Sequence, residues 1–307
     1  MKFIFFTDPH LRESKPSSRI DDFYNTQFTK INQIWDIKKS INADHILCGG
    51  DLFDCASSIK NSFSFLNDCI NNFTEHVYTV IGTHDILGRN IKELYNSALG
   101  TFDLIKKVEI IHDDIYLDND SIVIRAVPYS DTYDESKYVF GKKFKNAFKI
   151  VITHNTILPG TVEVPYPVTF ASEIKTDANL VLCGHIHKMW VYKNKISNTQ
   201  FINPGALVRQ AIDEQFNEPS LCIFTVSKGL LNDFDIIPLK YNKDVFDAQA
   251  TLKKHDVDYN SFVDSLEKFK SLDLDGYIRQ MASQHKLPTD ILDMIVEKIQ
   301  WAKENVK

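Results

Sequence analysis

Two histidines one residue apart, His185 and His187, follow a short apolar run at residues 179–182 and a glycine, Gly184. If that run is a buried strand, alternation along the extended backbone sends both imidazoles to the same side of its end. Two neutral imidazoles fixed in this way make half of a metal site. By itself such a pair is more often an accident than a ligand pair, so the rest of the chain must supply the missing ligands. It offers them at regular intervals. Asp8 and His10 follow the apolar run 3–7, Asp51 follows 45–48, Thr83-His84-Asp85 follow 76–81, and His154 follows 149–153. Each cluster alone reads plainly as a turn, a helix start or a satisfied core histidine. Five runs that all end in the same few ligand types are not independent accidents, because type, spacing and position agree.

The elements that must carry these residues alternate. Residues 23–40 place Phe28, Ile31, Ile34 and Trp35 at helical spacing, and 58–71 fits a second helix between the apolar runs. Strands alternating with helices imply parallel pairing in an α/β layered fold, with ligands gathered at the strands' carboxyl ends. Residues 109–112, 115–117 and 121–127 read as short strands, the last two joined by a hairpin turn at Asp118-Asn119-Asp120. Residues 156–171, with Pro159, Gly160, Pro165 and Pro167, read as a loop able to lie over the cleft. Strands are expected again at 189–192 and 200–202, then a turn at Asn203-Pro204-Gly205, then closing strands at 220–226 and 234–239. Beyond 243 the periodicity turns helical. Phe262, Leu266 and Phe269 share one face, and Pro288-Thr289 starts a helix carrying Ile291, Ile295, Ile299 and Ala302. The expected organisation is one domain over 1–242 and a helical appendage over 243–307.

Bulk properties set outer limits. The chain has 307 residues, enough for a large domain with an appendage, and its 21 Phe and 12 Tyr can fill a sizeable core. A net charge of −6 offers no global attraction for nucleic acid, so any such contact must be local or come from a partner. Lys142, Lys143 and Lys145 make a small basic cluster that reads as a solvated face. The five cysteines are scattered among apolar residues and read as reduced core thiols. The apolar start is cut off by Asp8, and no stretch approaches the ~18 apolar residues of a membrane span. A soluble cytoplasmic protein is expected. His45, His76, His112, His255 and His285 lie away from the clusters and read as structural or solvated.

The order D-x-H, G-D, G-x-H-D, H and G-H-x-H resembles that of the calcineurin-like metallophosphoesterases, over residues 1 to about 210. The resemblance implies a layered β-sandwich flanked by helices and a pair of divalent metal ions. Asp8, His10 and His187 would hold the first ion and Asp51 would bridge. His154 and His185 would hold the second, with Thr83 where the family usually has asparagine. His84 would act on the phosphate as acid or charge stabiliser, oriented by Asp85. Mixed imidazole and carboxylate ligands suit Mn2+ first, with Fe2+ or Zn2+ as substitutes. Such a pair turns a bridging water into hydroxide and clamps an in-line displacement at phosphorus.

Within that family, Asp8-Pro9-His10-Leu11, Gly49-Gly50-Asp51-Leu52-Phe53-Asp54 and Asn203-Pro204-Gly205 look most like the SbcD-type DNA-repair nuclease subunits. That branch implies DNA as substrate, exo- or endonuclease action, and a coiled-coil, SMC-like ATPase as partner gripped by the terminal helices. A homodimer would also fit. Two other readings stay open: a phosphodiesterase or phosphatase acting on a nucleotide or other small phosphoester, and a weakly active binding module of the same fold.

Overall fold

A computed structural model describes residues 1–57, 60–119, 121–160 and 167–247. The first strand, β1 (Lys2–Phe6), sets the pattern: Phe3 and Phe5 face one way, Ile4 and Phe6 the other, and all four are fully buried. A strand covered on both faces loses the apolar–polar alternation, which is why the expected strands appear as unbroken apolar runs. After β1 come α1 (Phe23–Ile41), β2 (His45–Cys48), α2 (Phe63–Asn72), β3 (Val77–Thr79), α3 (Ala98–Leu104) and β4 (Val108–Ile110). Strands β1 to β4 pair in parallel, as the alternation with helices requires. Asp22 caps α1 by accepting the Asn25 N–H at 3.2 Å, and Ser62 caps α2 by accepting the Phe65 N–H at 3.2 Å.

The second half builds a second sheet from β5 (Ile115–Leu117), β6 (Ile122–Val127), β7 (Phe148–Thr153), β10 (Leu180–Cys183), β11 (Trp190–Lys193) and β12 (Gln200–Asn203). Its order is β11-β12-β10-β7-β6-β5, with a parallel centre and antiparallel edges. The stretch expected as a loop over 156–171 contains a two-stranded pair, β8 (Ile157–Leu158) with β9 (Thr169–Phe170), and residues 161–166 lie outside the described residues. The chain then returns to the first sheet as a hairpin, β13 (Ser220–Ser227) and β14 (Leu230–Pro238), with β13 antiparallel to β1.

The two sheets stack face to face, flanked by helices. Phe3, Phe5, Leu47 and Phe224 of the first sheet meet Ile124, Ile150, Ile152 and Leu182 of the second in the middle core. Ile4, Phe6 and Ile46 face the helices, where Phe28, Ile31, Ile34 and Trp35 of α1 supply the face that their spacing predicts. A third core on the outer side of the second sheet gathers Val151, Val181 and Phe201 under Tyr138, Phe140 and Phe144, which come from the short 310 turns and loops after β6.

The first compact unit extends to Asp247. Residues just past 242 are tied down: the Ile20 N–H donates to the Val245 carbonyl at 3.0 Å and the Asp247 N–H to that of Ser18 at 2.9 Å. From residue 248 the expected helical appendage lies outside the described residues. No helix among the described residues is long and apolar enough to cross a membrane.

Candidate metal centre

Every cluster singled out by its strand-end position arrives at one place. Strands β1, β2 and β3 deliver Asp8 and His10, Asp51, and Thr83 and His84; β7 and β10 deliver His154, and His185 and His187. To converge, the chain must turn hard as each strand ends. Asp8 (φ 51°), His10 (φ 43°), Asp51 (φ 49°) and His185 (φ 72°) all take left-handed backbone conformations. For non-glycine residues this costs about 1 kcal/mol or more each, and such strain gathers at functional sites. Two glycines permit the close approach. A Cβ on Gly50 (φ 96°) would lie 2.6 Å from His154 Nδ1, and one on Gly82 would lie 2.1 Å from Asp51 Oδ1.

Two buried carboxylates form the middle. Asp8 accepts the Thr7 hydroxyl and the His185 N–H (3.0 Å) on Oδ2, and its Oδ1 faces the Nε2 atoms of His10 (3.6 Å), His187 (3.7 Å) and His154 (3.9 Å). Asp51 accepts the His84 N–H on Oδ1 at 2.7 Å, while its Oδ2 stands 3.0 Å from His154 Nε2 and 3.8 Å from His10 Nε2. The His10 and His187 Nε2 atoms face each other at 3.1 Å. In each of three groups the ligand atoms lie within 4.8 Å of one another: Asp8, His10, His187; His10, Asp51, His84; and Asp51, His154, His185. His10 and Asp51 each belong to two of them, so the three groups form one continuous cluster with the Asp51 carboxylate inside it.

The residues fit a pair of cations. Buried polar atoms are almost always hydrogen-bonded, yet His154 Nε2 is buried with no formal hydrogen bond, only the Asp51 carboxylate 3.0 Å away. The Nδ1 of His154 is committed, donating to the Gly49 carbonyl at 2.6 Å, so its Nε2 is the atom turned toward the carboxylates. The field points the same way. Burial alone would raise the Asp8 and Asp51 carboxyls, but the surrounding imidazoles outweigh it and hold both well below the usual range. Burial likewise opposes charge on His154 and His187. Asp51 nevertheless lifts His154 to about 10, and Glu214 with Asp8 lifts His187 to about 9. Burial and the neighbouring His154 push His185 down to about 4, which keeps its ring neutral. A pocket that grips protons this firmly has the charge to grip metal ions.

The profile of the calcineurin-like phosphoesterases matches residues 1–189, well over half of the chain. The chain belongs to the calcineurin-like phosphoesterase family. The two stacked sheets are that family's fold, and the family consists of metal-dependent phosphoester hydrolases that use two metal ions. No curated protein matches at the level of sequence. Among solved structures the chain is similar to the sulfate thiohydrolase SoxB of Thermus thermophilus in complex with glycerol, at 12% identity, covering 78% of this chain and 56% of that one, with a TM-score of 0.48. It is also similar to a 5′-nucleotidase precursor of Thermus thermophilus, at 12% identity, with 87% and 59% covered and a TM-score of 0.44. A putative 5′-nucleotidase of Staphylococcus aureus in complex with α-ketoglutarate follows, at 11% identity, with 81% and 56% covered and a TM-score of 0.45. The chain thus spans a little over half the length of these structures.

Around these residues, the hydrogen bonds of Asp85 and His84 depart from the expected orientation of one by the other. Asp85, fully buried, does not orient His84; it accepts the backbone N–H groups of Gly82 (2.9 Å) and Phe53 (3.3 Å) and so braces the two loops. Burial, reinforced by Asp51, raises its carboxyl to about 7. The His84 ring is aimed by a backbone atom instead, its Nδ1 donating to the Asp54 carbonyl at 2.7 Å. Thr83 stands at the centre, where its hydroxyl donates to Asp51 Oδ2 at 3.0 Å.

Glu214 escaped the sequence reading altogether. Its carboxylate takes His187 Nδ1 on one oxygen and the N–H groups of Gln210 (2.5 Å) and Ala211 (3.2 Å) on the other. A carboxylate behind a ligand histidine fixes the tautomer and raises basicity at the other nitrogen. Nothing in the spacing marks this acid, which lies 27 residues beyond its partner.

Proposed function

We propose that this phosphoesterase hydrolyses phosphodiester bonds with two divalent cations, and that its substrate is DNA. The observation that carries the reading is the convergence of Asp8, His10, Asp51, His154, His185 and His187, drawn from four strand ends, with ligand atoms within 4.8 Å in overlapping groups. Asp8, His10 and His187 would hold one cation and His154 and His185 the other, with Asp51 shared between them. Thr83 would be the weak ligand of the second position, since a neutral hydroxyl on a short side chain is a poorer cation ligand than an amide oxygen, even with its proton given to Asp51. When bound, the cations supply Lewis acidity and an activated water; manganese suits the ligand set best, then iron or zinc.

The protein's own groups do the rest. Because His84 Nδ1 donates to the Asp54 carbonyl, its Nε2 faces the site, and in the imidazolium form it would give a proton to the leaving oxygen or stabilise charge there. His84 is solvent-exposed at the rim, with its ring 4.9 Å from that of His10, so it can reach a phosphate on the cations while the buried carboxylates stay dry. Asp85 serves as a positioning residue, holding the Gly82 and Phe53 loops that set His84 and Asp51.

The nuclease branch is favoured by the motif residues. In Leu11 and Phe53 the two motifs are joined by a backbone bridge, and Asn203 clamps the H-x-H turn by donating to the Ile186 carbonyl at 2.8 Å. A coiled-coil ATPase subunit would be the partner and residues 243–307 its grip, with a cytoplasmic location. Manganese-dependent hydrolysis of a DNA end and of bis-p-nitrophenyl phosphate tests the reading. His84→Ala should lower both rates by about 10^2- to 10^4-fold with cation content retained. Turnover of phosphomonoesters alone would move the assignment to a small-substrate phosphatase, and turnover that survives removal of the cations would end it.

A further inference from the structure

A phosphorus atom in a monoester carries one organic arm, and in a diester it carries two. Two separate cavities each share one histidine with the candidate centre, His185 on one side and His187 on the other. On the His185 side lies a polar cavity of about 410 Å³ lined by Tyr129, Asp131, Tyr133, Asn155 and Thr156. The Tyr129 ring sits 5.2 Å from that of His185, and its hydroxyl donates to Asp131 Oδ1 at 2.8 Å. Tyr133 is held by its hydroxyl, which accepts the Lys175 N–H at 3.0 Å. On the His187 side lies a second cavity of about 430 Å³, lined by Met189, Phe216, Asn217, Ile236 and Pro238. Here Phe216 is 86% exposed, although the residues around it are anchored. Glu214 grips His187, the Asn217 N–H donates to the Glu214 carbonyl at 2.9 Å, and the Asn217 side chain reaches the His187 carbonyl at 3.4 Å. A large apolar ring is therefore held out into water beside a cation ligand by a fixed turn.

We propose that these cavities take the two arms of one phosphodiester, and that the substrate is an unpaired stretch of nucleic acid. This rests on the phosphodiesterase reading above. One nucleoside enters the Tyr129 cavity, which offers two aromatic rings together with donors and acceptors for a base edge and is within the size range of ligand pockets. The base on the other side of the phosphorus stacks on Phe216. Stacking on an exposed ring requires a base with a free face, which bases inside a duplex stack lack and a frayed or single-stranded end offers.

The experiment is a cycle between protein and substrate in the full chain. A fluorescein-labelled deoxythymidine tetranucleotide and the same strand with one base at a time replaced by an abasic sugar are compared for anisotropy-based affinity and for manganese-dependent cleavage. Phe216→Ala should weaken binding and kcat/KM about 5- to 150-fold when the base on its side is present, and the loss should shrink when that base is missing. Tyr129→Ala should show the same coupling to the base on the other side of the scissile bond. Equal losses with and without the bases, or a mononucleotide ester processed as well as the tetranucleotide, would overturn the two-arm reading. Base-dependent binding without hydrolysis of any phosphoester would instead overturn the catalytic reading and leave the cavities assigned. Phe216 is so exposed that its removal leaves the fold intact, and an unchanged melting temperature checks this.

Discussion

His185 and His187 leave the same strand end two residues apart, yet their rings are supported in opposite ways. His187 has a buried carboxylate behind it, Glu214, and its ring is biased toward charge. His185 packs against the rings of Tyr129 and His154 and is held neutral. The contrast runs through the whole centre. The half made by Asp8, His10 and His187 is braced by Glu214 behind His187, whereas in the other half His154 leans on a backbone carbonyl and the neighbouring position is a threonine whose hydroxyl turns to Asp51. Carboxylate support strengthens a ligand nitrogen and a carbonyl does so less, so the two halves should hold cations with different strength. The half on the His185 side is expected to lose its cation first.

Three substitutions break or sharpen that contrast. Asp51→Asn should have the largest effect, because the shared carboxylate is what allows two dications to sit close together. Cation content should fall from two to none, and hydrolysis by about a thousandfold or more, the scale of losing several kcal/mol of charge stabilisation. A cation still held by Asp8, His10 and His187 after gel filtration would show that Asp51 is not shared. Next comes Glu214→Gln. Glutamine can present an N–H to His187 Nδ1, which moves the ring proton onto Nε2, the nitrogen that faces Asp8. Manganese titration should show one class of site weakened by about 10- to 100-fold while the other moves little. Two sites weakened equally would erase the distinction. Thr83→Asn works in the opposite direction, adding an amide oxygen where a shorter and weaker hydroxyl ligand now stands. The weaker site should tighten by about tenfold, equivalent to about 1.4 kcal/mol, and less added manganese should be needed for full activity.

What the sequence reveals about this centre, and what it hides, follows from the chemistry of each part. Buried parallel strands produce unbroken apolar runs, so their ends stand out sharply, and the ligands are at those ends. The hairpin signal at residues 118–120 and the face of α1 are local and equally legible. Support from behind is not. The Gly49 and Asp54 carbonyls that aim His154 and His84 are backbone atoms, the same for every residue type. Glu214 is one acid among many until the turn after β12 folds it onto His187. Helix α3 is only seven residues long, too short for periodicity to show, and the sequence reading leaves it unassigned. The extension to Asp247 depends on contacts between distant parts, such as Arg19 over the Phe246 ring, and no change in composition marks it.

The smallest expected effect is on stability, and it tests the electrostatic side of the contrast. In the cation-free protein His154 titrates near 10 and His187 near 9, both above the ordinary 6.5, so each stabilises the fold fully below pH 6.5 and less as pH rises toward those values. Lys30 acts in the other sense: burial, with Arg209 and Arg19 nearby, depresses it to about 7, so the unfolded chain binds the extra proton between pH 7 and 10.5 and stability rises there. Two protons favour the fold at low pH and one favours it at high pH, which leaves a net decline between pH 6.5 and 9. The melting temperature of protein stripped with a chelator should fall by about 10 °C over that range. With manganese present the direction should reverse, because the cations take the place of the protons on His154 and His187 and bind more tightly as those protons become easier to remove. A cation-free protein whose stability climbs from pH 6.5 to 9 would mean that neither ring is held charged by the carboxylates, and the difference between the two halves would then have to lie in geometry alone.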